Sequence, residues 1–448
     1  MAAVTTQEGN SIVRRIADRT AVAGVIGLGY VGLPLAVAVG RAGFRTIGFD
    51  VDAEKPPRLA RGESYIDAVS GPDLKALVES GRLRATDDFA GLAECDVIVI
   101  CVPTPLTRYR EPDLSFVEAS TRTIARHLRD GQLVVLESTT YPGTTREVLK
   151  PILEETGLRS GVDFFLGFSP EREDPGNRDF ATASIPKIVA GDGPGAAEAM
   201  EAFYGAVVDK VVPVSTLDVA EAVKITENVF RAVNIALVNE LKMVFERMGI
   251  DVWEVIEAAK TKPFGYMPFY PGPGLGGHCI PIDPFYLTWK SREFEISTRF
   301  IELAGEINIA MPRYVVGRLE EALDRRLSKS LSSSRILLLG LSYKKNVADV
   351  RESPSFKLLE ILESRGASIG YHDPHVPVVP PTREHGRYAG MPSVPLTADE
   401  LSGYDAVLLA TDHDDVDYNL IARTSRLIVD TRNIFARLGI RSDRVVKA

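Results

Sequence analysis

Short apolar runs alternate with segments of helical periodicity along the first half of the chain. The runs are nearly continuous in Val, Ile and Leu, and they extend from Val22 to Ile26, Thr46 to Phe49, Asp96 to Val102, Leu133 to Leu136, Phe164 to Phe168 and Lys187 to Ala190. Strands without a polar face are typical of a parallel sheet that helices cover on both sides. The pattern predicts an α/β domain with a doubly wound parallel sheet over residues 1–213.

One long helix is predicted after this domain. The segment from Asp218 to Gly249 contains no proline and no internal glycine, and its apolar residues recur at helical spacing. Ser215 and Asp218 have the spacing of a capping box at its start, and Gly249 is a suitable stop. Residues 229–238 are apolar almost all round, so we expect burial between domains or in a subunit interface. An ordinary core helix of a monomer is the alternative.

The alternating pattern returns after a serine-rich joint at residues 328–335. Strand-like runs extend from Ile336 to Leu339, Ser368 to Tyr371, Ala406 to Leu409 and Leu427 to Val429. The chain is therefore expected to be α/β, with two doubly wound, Rossmann-like domains joined by a long central helix and a helical middle domain. The predicted domains are residues 1–213, 214–327 and 328–448.

Composition narrows the class of protein. The 448 residues are 45% hydrophobic and 25% charged, and their net charge of −9 gives no basic surface for nucleic acid or anionic lipid. The cysteines Cys95, Cys101 and Cys279 are too few for a disulfide framework, which favours the cytoplasm. Residues 21–40 lack charge, but five glycines and Pro34 interrupt them, so they predict a buried strand, turn and helix rather than a membrane span.

A glycine fingerprint directly follows the first predicted strand and opens a helical segment. Gly27, Gly29 and Gly32 have the spacing in which a tight turn brings the backbone and a helix N-terminus to a pyrophosphate. Asp50 ends the next strand-like run, where a carboxylate binds the adenosine ribose and repels a 2′-phosphate. The pattern predicts NAD in preference to NADP; the alternative is a plain glycine turn with a surface aspartate.

A second glycine-rich loop precedes Cys279. Clustered glycines at residues 272–277 allow a ligand to approach the backbone, and a lone cysteine behind them is placed as a nucleophile would be. His278 is adjacent and points the opposite way in an extended loop, so we expect it to pack or hydrogen-bond. Asp283 faces the same pocket if a helical turn begins there. The alternative is a buried, inert thiol.

Polar residues on the long helix form a third element. Lys224 and Asn228 are four residues apart and share a face that is otherwise apolar, so each needs a partner or a ligand. The alternative is a structural ion pair of Lys224 with Glu221, Glu227 or Glu240.

Two clusters of His and Asp resemble metal-binding sequences. They are residues 372–375 and 412–415, and both directly follow strand-like runs, where polar turns are common. Further ligands at suitable spacing are missing, so no bound metal is expected.

Several motifs occur in one order along nearly the whole chain: GLGYVGLP at Gly27, VPTP at Val102, EST at Glu137, SPERE at Ser169, KITEN at Lys224, PGPGLGGHC ending at Cys279, YKKNVADVRES at Tyr343 and DTRN at Asp430. In this order they resemble the UDP-sugar 6-dehydrogenases. The resemblance implies a four-electron oxidation of the sugar C6 alcohol to a carboxylate by two NAD in turn, through a thiohemiacetal and a thioester on Cys279.

The resemblance also implies roles for individual residues. Lys224 and Asn228 would stabilise the oxyanion, Asp283 would orient water or lysine, Thr139 would hold water, and Glu171 would be the base in thioester hydrolysis. The implied cofactor residues are Gly27, Gly29, Tyr30, Val31, Gly32, Asp50, Thr104, Thr139 and Arg351. The implied substrate residues are Glu171, Arg172, Lys224, Asn228, Tyr270, Gly276, Gly277, Lys344 and Arg432.

Departures from the UDP-glucose enzymes bear on the substrate. His278 stands where those enzymes commonly have serine, Arg172 follows the SPE motif, and the loop before Cys279 lacks the arginine that some of them use on the sugar. SPEREDPG and the Cys279 loop look more like the N-acetylhexosamine branch, which favours UDP-N-acetylglucosamine. UDP-glucose, TDP-glucose, and UDP-N-acetylmannosamine or -galactosamine are the alternative substrates.

Two other classes of protein are also compatible with the sequence. The rival classes are a two-electron NAD dehydrogenase that needs no nucleophile and a non-catalytic NAD-binding sensor or scaffold. The expected partners are the nucleotide sugar and a second copy of the chain, joined as a homodimer through the long helix, with a higher oligomer as the alternative. Neither nucleic acid nor membrane is expected as a partner.

Overall fold

The computed structural model describes residues 9–66, 68–107, 109–172, 182–277, 280–382 and 384–448. The chain divides into two units, of which the first comprises residues 1–227 and 289–296 and the second residues 228–288 and 297–448. Each unit is built around its own sheet. The prediction of two doubly wound α/β domains with helices between them is confirmed.

The first unit holds the larger sheet. Its strands are β1 (Val22–Ile26), β2 (Arg45–Phe49), β3 (Leu83–Thr86), β4 (Val97–Ile100), β5 (Leu133–Leu136), β6 (Phe165–Phe168), β7 (Lys187–Gly191) and β8 (Val211–Pro213). Its helices are α1 (Gly9–Ala17), α2 (Gly32–Arg41), α3 (Lys55–Ala60), α4 (Gly71–Glu79), α5 (Ser115–Ala125), α6 (Lys150–Glu154) and α7 (Pro194–Gly205). The strands lie in the order β3-β2-β1-β4-β5-β6-β7-β8.

One pairing departs from the predicted parallel sheet. β6 and β7 run antiparallel, with Phe168 opposite Ala190, whereas the other neighbouring strands are parallel. A continuous apolar run indicates a buried strand but carries no information about its direction. The sheet is therefore mixed toward its β8 edge.

Alternate residues of the central strands pack on opposite faces of this sheet. Val97 and Val99 of β4 lie in the core formed with α1, α2 and α7, whereas Ile98 and Ile100 lie in the core formed with α5 and α6. Since successive side chains of a strand point to opposite faces, a strand covered on both faces must be apolar throughout. The near-continuous Val and Ile of these strands follow from that requirement.

The long helix α8 extends over Leu217–Arg247, close to its predicted bounds. Its cap is Thr216 rather than Ser215, because the Thr216 hydroxyl accepts the backbone N–H of Val219 at 3.2 Å. The segment predicted to be buried on most sides is partly exposed, since Phe230 and Leu237 are about half exposed in the single chain. In the described residues, no helix is both long and apolar enough to cross a membrane.

The second unit is built on a smaller parallel sheet in the order β10-β9-β11-β12-β13. Its strands are β9 (Arg335–Leu339), β10 (Ser368–His372), β11 (Ala406–Leu409), β12 (Ile428–Asp430) and β13 (Val445–Lys447). The further helices are α9 (Val252–Lys260), α10 (Asp283–Ser291), α11 (Arg299–Leu327), α12 (Pro354–Ser364), α13 (Ala398–Ser402), α14 (Tyr418–Thr424) and α15 (Ile434–Arg437). Ile336 and Leu338 of β9 pack with α11 and α12, and Leu337 and Leu339 pack with α13 to α15.

Candidate active site

The glycine fingerprint forms the turn between β1 and α2. Gly27 has a φ of 90°, and a Cβ there would lie 2.5 Å from the carbonyl oxygen of Cys101. A Cβ on Gly32 would lie 1.8 Å from the carbonyl oxygen of Gly27, whereas a Cβ on Gly29 would meet nothing within 4 Å. The outer glycines are thus required by the fold, and the middle one faces open space that a pyrophosphate can approach. The turn fits NAD.

Asp50 lies beside this turn at the end of β2. Its carboxylate accepts the backbone N–H of Leu28 at 2.8 Å and that of Asp52 at 3.0 Å, and it pairs with the ammonium of Lys55 at 2.8 Å. Asp50 is buried rather than at the surface. A carboxylate held next to the pyrophosphate turn is placed where an adenosine ribose would be bound.

The neighbouring loops of the first unit carry further predicted residues. Thr104 follows β4 and is buried, Thr139 follows β5 and is half-buried, and Glu171 follows β6 and is buried. These strands are parallel neighbours, so their carboxyl ends meet at one edge of the sheet. Tyr30 and Val31 lie within the glycine turn. Ligands of doubly wound sheets bind at this edge.

Lys224 of α8 reaches the residue that follows β6. Its ammonium donates to the backbone carbonyl oxygen of Glu171 at 2.5 Å and to its carboxylate at 3.2 Å. Both side chains are buried. Of the alternative partners of Lys224, Glu221 instead contacts the loop at residues 143–145 and Glu227 contacts Arg172. The partner is instead 53 residues away in sequence.

Glu227 pairs with Arg172, the predicted substrate residue. The Arg172 guanidinium contacts the Glu227 carboxylate at 2.6 Å and donates to the carbonyl oxygen of Pro186 at 2.6 Å. Arg172 is half-buried and directly follows Glu171. This pair therefore secures the loop on which Glu171 lies.

Glu221 is a buried carboxylate that sequence analysis did not single out as functional. It accepts the backbone N–H of Gly143 at 2.5 Å, and the backbone N–H and hydroxyl of Thr145 at 2.8 and 2.6 Å. Burial raises the pKa of this carboxyl to about 7, although these hydrogen bonds act in the opposite direction. Glu221 thus ties the first turns of α8 to the loop that follows Thr139.

In the second unit, Asn228 of α8 contacts Asp283. The Asn228 amide donates to the Asp283 carboxylate at 2.6 Å, and both side chains are buried. The helix α10 begins at Asp283, as the predicted helical turn required. Cys279 and His278 lie outside the described residues.

The glycine loop before these two residues packs closely against other parts of the second unit. A Cβ on Gly276 would lie 2.8 Å from both Pro354 and Tyr343, and a Cβ on Gly277 would lie 2.9 Å from the Tyr343 ring. At the start of the loop, Tyr270 donates to the Glu257 carboxylate at 2.6 Å. Larger residues at the two glycines would displace the loop.

Three predicted basic residues also belong to the second unit. Lys344 follows β9 and is half-buried. Arg351 contacts the Asp349 carboxylate at 2.6 Å, and Arg432 follows β12 and donates to the carbonyl oxygen of Ala410 at 2.8 Å. Lys344 and Arg432 thus lie at the carboxyl ends of parallel strands, where doubly wound sheets bind ligands. The nucleotide and cofactor roles of these residues stay predictions.

Comparison with known proteins decides the family. The chain matches the UDP-glucose/GDP-mannose dehydrogenase family in its NAD binding domain at residues 21–208, its central domain at 218–310 and its UDP binding domain at 337–437. It is 38% identical over 395 residues to a UDP-N-acetyl-D-glucosamine 6-dehydrogenase from Pseudomonas aeruginosa, covering 87% of this chain and 90% of that protein. The chain belongs to the UDP-glucose/GDP-mannose dehydrogenase family.

Other relatives of this nucleotide-sugar dehydrogenase are named for other sugars. A UDP-N-acetyl-D-mannosamine dehydrogenase from Pyrococcus horikoshii is 36% identical over 92% of this chain and 95% of that protein. The solved structure of a UDP-D-ManNAc dehydrogenase from Pyrococcus horikoshii has a TM-score of 0.84 at 33% identity, covering 95% of this chain and 98% of the other. The predictions of an NAD-dependent oxidoreductase and a UDP-sugar family are confirmed.

Proposed function

We propose that this dehydrogenase oxidises the C6 hydroxymethyl group of a UDP-N-acetylhexosamine to a carboxylate, with UDP-N-acetylglucosamine as its substrate. The observation that carries the proposal is the buried Lys224 ammonium on Glu171. Burying an ammonium is unfavourable unless charge is there to compensate it. The Glu171 carboxylate supplies that charge in the resting chain, and the preorganised ammonium can in addition stabilise the oxyanion that develops during oxidation of an alcohol and an aldehyde.

The proposed reaction takes four electrons from C6. The alcohol loses a proton and a hydride to become an aldehyde, and the Cys279 thiolate adds to the aldehyde carbon. The resulting thiohemiacetal loses a second hydride and becomes a thioester, which water cleaves to release the acid and restore the thiol. Bound NAD is the hydride acceptor, and two NAD are consumed per sugar.

The chain's own residues have distinct tasks in this scheme. Lys224 and Asn228 donate hydrogen bonds to the oxyanion, a contribution of about 3 to 4 kcal/mol for a preorganised donor. Asp283 accepts a hydrogen bond from the Asn228 amide, which fixes the orientation of that amide, and it also orients the hydrolytic water. Thr139 holds the hydrolytic water, and Glu171 takes its proton. The role of Cys279 rests on the sequence.

The test compares two cysteine variants on UDP-N-acetylglucosamine. Cys279→Ser is expected to abolish formation of the uronic acid, measured by mass spectrometry. The serine hydroxyl is not ionised at neutral pH and is therefore a poorer nucleophile than a thiolate, and an alkoxide is a poorer leaving group. The matched control is Cys95→Ser, because Cys95 is buried in the first unit's core, and burial raises the pKa of its thiol to about 12. Acid formation by Cys279→Ser at the unaltered rate would contradict the covalent mechanism.

The choice of sugar is tested separately. UDP-N-acetylglucosamine, its manno and galacto epimers, UDP-glucose and TDP-glucose are compared by NADH absorbance at equal concentration. The motifs around Glu171 and Cys279 support an N-acetylhexosamine, and the name of the Pseudomonas relative supports the gluco epimer. A higher kcat/KM for another sugar would replace the substrate but keep the reaction, whereas no NADH with any sugar would favour a sensor or scaffold.

The same proposal includes a homodimer through α8. Phe230, Leu237 and Val244 recur every seven residues along this helix and are 47%, 50% and 47% exposed in the single chain. An apolar stripe of this kind can pack on its own copy across a twofold axis. Light scattering is expected to show a dimer that Leu237→Glu dissociates, whereas Leu438→Glu, at another exposed leucine, does not. A monomeric unaltered chain would contradict this part.

A further inference from the structure

The His and Asp clusters that resembled metal sequences form a buried hydrogen-bond network in the second unit. His413 and Asp373 are almost fully buried, and the His413 Nε2 lies 3.1 Å from the Asp373 carboxylate and 3.0 Å from the Ser342 hydroxyl. The His413 Nδ1 lies 3.0 Å from the backbone nitrogen of Asn346. No group of three or more ligand-type side chains that could hold a metal occurs among the described residues.

The geometry fixes the tautomer of His413. A backbone N–H can only donate, so the Nδ1 that faces Asn346 must be the acceptor, and the ring hydrogen must be on Nε2. The Nε2–H is then shared between Asp373 and Ser342, and the Ser342 hydroxyl can donate to the carbonyl oxygen of Lys344 at 3.1 Å. Both ring nitrogens of the imidazole therefore have hydrogen-bond partners.

These contacts hold one short segment, residues 341–346, at both ends. At its start, Asp373 accepts the backbone N–H groups of Leu341 and Ser342 at 2.7 and 2.9 Å. At its end, Asn346 has a φ of 59° and exchanges two hydrogen bonds with Asp414. Burial alone would raise the pKa of Asp373, but the hydrogen bonds from His413 and the backbone outweigh it and lower this pKa to about 2.

The segment lies at the point where the strand order reverses. β9 is flanked by β10 and β11, and the residues of the network follow the carboxyl ends of these three strands: Ser342 follows β9, Asp373 follows β10 and His413 follows β11. Ligands of doubly wound sheets bind in the crevice at this position. Lys344, predicted to contact the nucleotide, is in the middle of the segment.

We propose that His413 is a positioning residue for the nucleotide: its two hydrogen bonds, to Ser342 and Asn346, hold residues 342–346 in the conformation that presents Lys344 to the ligand. The inference rests on the proposed function for the identity of that ligand. A preformed segment lowers the entropy lost on binding, so the network raises affinity without touching the nucleotide.

The test measures UDP and NAD binding separately, by titration calorimetry on the full chain. His413→Leu can make neither hydrogen bond and is expected to weaken UDP binding about tenfold or more. Residues 342–346 then lose the buried hydrogen bonds that hold them in the binding conformation. NAD binding is expected to stay within about twofold, since the glycine fingerprint belongs to the first unit and the network belongs to the second. In turnover, KM for the nucleotide sugar should rise while kcat stays nearly constant.

Two conservative variants separate positioning from general destabilisation. A glutamine amide at this position can replace the Nε2–H donor, and the side-chain oxygen of an asparagine can replace the Nδ1 acceptor. His413→Gln and His413→Asn should therefore each restore part of the UDP affinity. The control is Tyr388→Phe, which removes the hydrogen bonds of this hydroxyl with Glu363 and Arg387 in the same unit. This control should bind UDP as the unaltered chain does.

Ser342→Ala keeps the test decisive if His413→Leu does not fold. It removes the hydroxyl that joins His413 to the Lys344 carbonyl and should weaken UDP binding several-fold. UDP affinity within twofold of the unaltered chain in both variants would overturn the inference, as would an equal loss of NAD affinity. An unaltered chain that binds no UDP would overturn the proposed function instead, and the two failures are distinguishable.

Discussion

The Lys224 ammonium donates to the backbone carbonyl oxygen of Glu171 at 2.5 Å and to its carboxylate at 3.2 Å. The pair joins the first turns of α8 to the carboxyl end of β6, the sheet edge where Thr139 and Thr104 also lie. A carboxylate next to a lysine both neutralises it at rest and remains available as a base. We propose that this contact brings together the oxyanion donor and the base of the hydrolytic step.

Replacing Lys224 tests the oxyanion role. Lys224→Met keeps most of the side-chain volume and removes the charge, so kcat should fall on the order of 10²- to 10³-fold. The measurement is NADH formation at saturating substrates. Lys150→Met, which breaks the half-buried ion pair with Asp192 in the same unit, is the control and should keep its kcat. A kcat for Lys224→Met within threefold of the unaltered enzyme would remove Lys224 from the mechanism.

Asp283→Asn tests the hydrolytic half of the reaction. The variant still offers an oxygen to the Asn228 amide but loses the negative charge, so hydrolysis of the thioester should slow more than its formation. Intact-protein mass spectrometry during turnover should then detect the enzyme with the acyl group attached. Asp399→Asn, on the short helix α13, should show no such species. Equal slowing of both halves would contradict the assignment.

Asp50 is expected to set the choice of cofactor. Asp50→Asn removes the charge that repels a 2′-phosphate, so kcat/KM for NAD should fall about tenfold and the preference for NAD over NADP should narrow. Lys55→Met should act in the opposite direction, because Lys55 partly neutralises this carboxylate at 2.8 Å. Steady-state kinetics with NAD and with NADP give the ratio of the two kcat/KM values for each variant. An unchanged preference in both variants would show that the ribose is bound elsewhere.

Glu221 makes stability depend on pH. Because burial raises its pKa to about 7 from an ordinary 4.5, the folded chain holds this proton more tightly than the unfolded chain. This proton's contribution to the free energy of unfolding is fully present below pH 4.5 and is lost as the pH rises through 7. The free energy of unfolding changes by roughly 3 kcal/mol over that range. Urea unfolding at pH 4.5 and at pH 8 measures the free energy of unfolding of the unaltered chain and of Glu221→Gln, and the gap between the two proteins should differ between the two pH values. Glu201→Gln, at an exposed position, should show no such pH dependence, and a pH-independent difference for Glu221→Gln would contradict the prediction.

The sequence predicted the strands that helices cover on both faces and the edge strand β10, and it missed the edge strands β3, β8 and β13. β4 and β5 consist of Val, Ile and Leu because both faces are buried. β3 and β13, by contrast, lie at the edges of their sheets and contain charged or half-exposed residues, so they leave no continuous apolar run. Similarly, the sequence pattern cannot decide whether Ser215 or Thr216 caps α8, because both residues have a hydroxyl and both directly precede the first turn of the helix.

The candidate site shows the same limit. Spacing placed Lys224 and Asn228 four residues apart on one helix, but their partners Glu171 and Asp283 are 53 and 55 residues away. Local pattern carries no information about such contacts, which form only when strand ends and helices meet. Glu221 was missed as a functional candidate for the same reason: its ligands are backbone N–H groups, which leave no trace in the sequence.

The central claim is that one enzyme removes two hydrides from the same carbon. With limiting UDP-N-acetylglucosamine and excess NAD, complete turnover should yield two NADH per sugar, with the uronic acid as the product by mass spectrometry. One NADH per sugar, together with an aldehyde or ketone product, would contradict the account.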